Sequence, residues 1–221
     1  MCRSKYLRVV TAVLLSAATS MPLIAQDSGA KKQEKPAAAA GQPSESDMMA
    51  VMMEMAKPGE NHKMLARGVG TWTYAVKMWM NPDPNAAPME SSGTTVAKEA
   101  LGGRYIITEH TGKMQMPGAD GKMMDMEFKG MSTEGYDNMK KKFVATWIDN
   151  MGTGIMTLEG TYDAATKSLT YLAEYEMMPG MKTKVREVLK FKDNDHRVME
   201  WYEDRGGTEV KTMEITYTRK T

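Results

Sequence analysis

Cysteine occurs once in the 221 residues, at Cys2, ahead of the first apolar run. A lipid-anchoring signal needs its cysteine directly after such a run, so Cys2 is expected to leave with the leader. The mature chain then has no disulfide, no thiolate metal site and no cysteine nucleophile. Histidine is almost as scarce: His62, His110 and His196 share neither helical nor alternate-strand spacing, so a preassembled zinc site is not expected. His-Glu-x-x-His, Gly-x-Ser-x-Gly and a phosphate-binding glycine loop with Lys-Ser/Thr are all missing. The only serines beyond residue 57 are Ser91, Ser92, Ser132 and Ser168, none in an elbow-like context. Gly152-Thr153-Gly154 opens a strand, not a helix, and Asp193-Asn194-Asp195 lacks the glycine and distal glutamate of a calcium loop.

Long apolar stretches are also lacking. Val9 to Ser20 is too short to span a bilayer; behind Arg3, Lys5 and Arg8, and ahead of Ala25-Gln26, it has the pattern of an export signal. The expected product of cleavage near Ala25 is periplasmic or secreted, with no stable membrane insertion. Loss of residues 1–25 leaves 26 basic against 28 acidic groups, a net of about −2, which gives nucleic-acid or anionic-membrane binding no support.

What is present falls into three parts. Residues 26–46 are small, polar and unpatterned, as in a disordered linker. Residues 47–57 form a methionine-rich helix stopped by Pro58-Gly59 and capped by Ser46, which either packs its methionines on the domain or acts as a lid. Residues 58–221 are the β domain. Trp72, Tyr74, Val76, Met78 and Met80 alternate with Thr71, Thr73, Ala75 and Lys77, and this first strand ends at Asn81-Pro82-Asp83-Pro84-Asn85. Nine more strands follow near 90–100, 103–112, 123–136, 141–149, 154–162, 168–176, 183–192, 196–204 and 208–219, separated by turn chemistry such as Pro117-Gly118, Pro179-Gly180 and Gly206-Gly207. Roughly ten antiparallel strands in sequence order make a meander, and closure into an up-and-down barrel removes its two exposed edges. A sandwich is the alternative.

Gly70-Thr71-Trp72 at the start of strand one, behind a helical turn at His62 to Arg67 and answered by Arg219 on the last strand, resembles the calycin superfamily of lipocalins and fatty-acid-binding proteins. The resemblance implies that Trp72 closes the barrel floor and Arg219 stacks across it. Seven motifs over 58–220, Gly70-Thr71-Trp72 and six more, among them Leu101-Gly102-Gly103-Arg104, Gly135-Tyr136-Asp137-Asn138 and Trp147-Ile148-Asp149-Asn150, are similar to a bacterial exported family of unknown function. That similarity implies a calycin-like barrel and carries no activity. By analogy with the nitrobindin branch of the calycins, His110 is the candidate to reach a haem iron.

Candidate ligand contacts are Trp147, Asp149, Met156, Glu109 and Arg104. Phe143, Ala145, Trp147 and Asp149 share one face, which carries Asp149 towards a cavity mouth. Of 25 methionines, 23 lie outside the signal, against three phenylalanines. Unbranched thioethers suit an adaptable apolar pocket, and Met78-x-Met80, Met114-x-Met116 and Met124-x-Met126 also suit copper(I). The leading expectation is an exported carrier or scavenger of a small apolar or amphipathic molecule, with no cofactor and no catalytic residue assigned. A haem or copper(I) binder, with His110, Met78 and Met80 as metal candidates, and an enzyme built on the cavity with Glu109, Asp149 or Arg104 stay open beside it.

Overall fold

The computed structural model describes residues 43–80, 86–118 and 120–221; the expected export signal and the linker up to residue 42 lie outside the described residues. Helix α1 (Glu45–Met55) begins two residues earlier than the methionine pattern suggests, because Ser44 is the cap. Its hydroxyl accepts from Asp47 N at 3.1 Å while the Asp47 carboxylate accepts from Ser44 N at 3.3 Å, a reciprocal pair that satisfies two otherwise free backbone donors. No residue of α1 is buried, and Met52 and Met53 are each 66% exposed, so the expected packing of its methionines on the domain is not found. The helix is tethered at its end, where Asn138 Nδ2 donates to Met55 O and Lys57 O at 2.8 and 2.9 Å. Helix α2 (Glu60–Ala66) follows and buries His62 and Leu65.

Ten strands complete the chain: β1 (Gly70–Met78), β2 (Met89–Ala100), β3 (Tyr105–Pro117), β4 (Met123–Asp137), β5 (Lys142–Asp149), β6 (Met156–Asp163), β7 (Ser168–Met178), β8 (Met181–Phe191), β9 (His196–Arg205) and β10 (Thr208–Arg219). Each pairs antiparallel with its sequence neighbours, and β10 returns to β1 to close the barrel. Register across the closure sets Trp72 opposite Arg219 and Met78 opposite Met213. Closure leaves no unpaired sheet edge, which is why a ten-strand meander settles here and not as an open sheet.

Strand β3 runs past Gly112 to Pro117, pairing with β4 down to Met123. The strand expected to end near residue 112 thus continues five residues further, and Gly112 is an interior position facing Gly93 across the ladder. A Cβ at either glycine would lie 2.4 Å from Tyr74 Oη, so the missing side chains make room for the Tyr74 ring, whose hydroxyl donates to Thr111 O at 3.2 Å.

Two apolar clusters fill the barrel. One joins Ile106, Phe143, Leu158, Leu169 and Tyr171 to Leu65 of α2; the other joins Trp72, Tyr74, Val76, Met199 and Tyr217. Complete burial of a side chain such as Leu169, 0% exposed, contributes about 1.5–3 kcal/mol. Met199 is the one buried methionine among the described residues, so the expected methionine-lined interior is replaced by aromatic and branched side chains. Rigid rings and branched chains specify a packed core better than thioethers do. No helix of the described residues is long and apolar enough to cross a membrane.

Candidate functional site

The closed end of the barrel is organised on Trp72, 2% exposed, whose indole Nε1 donates to Gly68 O at 2.9 Å. Two guanidiniums stack on it, Arg219 and Arg197, each 4.1 Å from the ring. Arg219 binds the chain entering β1, donating to Val69 O at 2.6 Å and Arg67 O at 2.7 Å, and reaches Asn194 O in the β8–β9 turn. Trp72 and Arg219 thus meet as the sequence implied. Arg197 is a second, unanticipated partner, and it points inward.

Beside Arg197 lies a cavity of about 60 Å³, enclosed by Leu65 on the α2 side and lined by His110, Ser132, Glu134 and Glu187. It has room for a few water molecules or one small polar group. Four strands bring these groups together: alternation on β3 turns His110 inward behind Ile106 and Thr108, β4 presents Ser132 and Glu134, β8 presents Glu187 between Val185 and Leu189, and β9 presents Arg197 ahead of Met199.

Desolvation dominates the electrostatics. Burial, reinforced by the neighbouring Glu134, pushes the Glu187 carboxyl up to about 8. Burial also raises Glu134, with Arg197 pulling the other way. The same enclosure, with Arg197 adding a like charge, pushes His110 down to about 4, and it raises the Tyr217 phenol. Near neutral pH this places a neutral imidazole and a protonated Glu187 around Arg197, while at Glu134 burial opposes ionisation and the guanidinium only partly offsets it. Arg197 Nε is buried without a hydrogen-bond partner, as are Thr95 Oγ1 and Tyr171 Oη. A buried orphan donor costs about 1–3 kcal/mol, which apolar side chains of similar size would avoid. Of these unpaired atoms only Arg197 Nε belongs to a residue lining the cavity, where it stands beside the displaced Glu187 and His110, and that combination marks the cavity as the candidate site.

The anticipated contacts divide into two groups. Trp147, Asp149 and Met156 come together: Trp147 Nε1 donates to Asp149 Oδ2 at 2.8 Å, and Met156 pairs across the ladder with Trp147. This cluster adjoins the cavity through His110, whose ring meets Trp147 edge-on at 5.0 Å, while Phe128 stacks on the other side of the indole arrangement at 6.2 Å. Asp149 also accepts from Met151 N at 2.9 Å, so it shapes the turn as well as holding the indole. Glu109 and Arg104 are exposed on the outside, Arg104 donating to Leu101 O at 3.0 Å. His110 faces inward, yet the space beside it does not admit a porphyrin. Met78 lies at the opposite end between Met89 and Met213, and Met80 is 65% exposed beyond the strand.

Sequence reading missed Glu134, Glu187 and Arg197. Their signal was present: Glu187 interrupts the apolar row Val185, Leu189, Phe191, and Arg197 heads the row Met199, Trp201. A second depression, about 430 Å³, lies on the outer wall over Ala75, Ser92 and Thr216; it reflects small side chains there and encloses nothing.

None of the curated proteins matches this chain. Among solved structures, Rv2717c from M. tuberculosis is similar at 12% identity and a TM-score of 0.49, over 75% of this chain and 100% of that one. The family described as a protein of unknown function (DUF1579) matches residues 57–219, and the chain belongs to that family.

Proposed function

We propose that this barrel is a binding protein for a small amphipathic molecule whose oxygen-bearing head group enters the cavity at Arg197. The observation that carries the reading is the buried, unpartnered Nε–H of Arg197. Protonated Glu187 and the Ser132 hydroxyl add donors around the same 60 Å³ space, beside apolar side chains such as Ile106 and Leu189, so the site suits a head group that carries acceptor oxygens. The calycin-like motif Gly70-Thr71-Trp72 with Arg219 and the leader pattern of residues 1–25 support a carrier or scavenger working outside the cytoplasm.

Two indoles report on the site, Trp72 on Arg197 and Trp147 on His110. Titration with medium-chain carboxylic acids is expected to change tryptophan emission saturably. Trp147→Phe should reduce the signal, and Arg197→Gln should weaken binding by at least about tenfold, the equivalent of one charge-assisted hydrogen bond. Absence of saturable binding, or equal affinity in Arg197→Gln, refutes the reading.

A further inference from the structure

The β3–β4 hairpin extends the inner face of both strands beyond the Gly112–Phe128 pair, and the next two cross-strand pairs on that face are all methionine. The register sets Met114 opposite Met126 and Met116 opposite Met124, with no slip between them. Cross-strand partners and positions two apart share a face, so all four thioethers lie on one side. The other side of this extension is mostly polar: Gln115 Nε2 donates to Asp125 Oδ1 at 3.0 Å and Lys113 stands opposite Glu127, with Met123, 52% exposed, as its one methionine. The methionine face is not sealed as a core would be, since Met124 is 58% exposed and Met114, Met116 and Met126 are half-buried. Strands favour β-branched and aromatic residues, so four methionines in paired positions on a half-open face answer to something other than strand formation or core filling.

We propose that Met114, Met116, Met124 and Met126 form a binding site for copper(I). Opposite Cβ atoms stand about 5 Å apart and successive same-face Cβ atoms about 7 Å apart, which puts the centre of the quartet about 4 Å from each. The flexible Cβ–Cγ–Sδ arm spans that distance. Neutral thioethers select a soft monovalent cation. The nearest imidazole on that face, His110, stands four residues before Met114 along β3, and the nearest carboxylate, Glu134, eight residues after Met126 along β4, so neither is an immediate neighbour of the quartet. The site is separate from the Arg197 cavity and does not depend on what that cavity binds.

The test is a copper(I) titration of the full chain, carried in a Cys2→Ser background so that the single thiol does not compete, with ascorbate and a chromophoric copper(I) chelator as competitor. One equivalent bound per chain is expected. Replacing all four methionines by leucine, a volume-conserving change, should lower the affinity by at least about 100-fold, the upper range of what loss of even outer-shell partners costs a metal site. The same replacement of Met48, Met49, Met52 and Met53 in α1 should leave it unchanged. Silver(I) added to the unsubstituted hairpin with methyl-labelled methionine should shift the four hairpin methyl signals and not those of α1, a reading that survives if the quadruple variant fails to fold. No stoichiometric binding, undiminished binding in the hairpin variant, or silver shifts on α1 instead would overturn the proposal.

Discussion

Glu187→Gln keeps the shape of the side chain and removes its ability to ionise. In the folded barrel this carboxyl is pushed up from 4.5 to about 8 by burial and by Glu134. The native state therefore holds a proton that the unfolded chain releases, and stability falls as pH rises from the unfolded value through the folded one. Integrated from pH 5 to pH 8, that difference costs the wild type about 3 kcal/mol that the glutamine variant does not lose. The assay is urea unfolding of both proteins at several pH values across this window. His110, Glu134, Arg197 and Tyr217 face the same cavity, and their direct contributions cancel to first order when the two pH profiles are subtracted. The expected result is near equality at pH 5 and a widening advantage for the variant towards pH 8. Parallel profiles, or a variant less stable than wild type at pH 8, would mean that Glu187 is ionised and paired, and the account of the cavity as a donor-rich site would fail.

Arg219→Ala should destabilise the barrel by about 2–4 kcal/mol in urea melts, because it strips the Val69 and Arg67 carbonyls of their donors and one guanidinium from Trp72, and lysine should restore only part of this. A Cβ at Gly130 would stand 2.6 Å from the Trp147 ring, so Gly130→Ala should cost about 1–3 kcal/mol and alter tryptophan emission, and the stability loss should shrink when Trp147→Phe frees the space.

Much of the architecture was readable along the chain. Period-two alternation and turn residues located all ten strands, and Gly70-Thr71-Trp72 with Arg219 anticipated the pair that closes the barrel, since each depends on local geometry or on one specific contact. The strand expected near 103–112 runs on to Pro117, and Gly112 within it makes room for the Tyr74 ring from another strand. Methionine abundance suggested an adaptable lining, yet the interior is built from Trp72, Tyr74, Phe143, Tyr171 and their neighbours, and most methionines stand outside or at the open end.

Composition and alternation by themselves determined an all-β domain, its strand order, and which residues share a face on each strand. Which faces look inward at the same height was decided only by barrel closure. Strand tilt and register bring Glu134, Glu187, Arg197 and His110, from four strands spread over almost ninety residues, around a single cavity, and the same register sets Met114 and Met116 against Met126 and Met124. A charge is costly or cheap according to what surrounds it in space, and no local pattern carries that information.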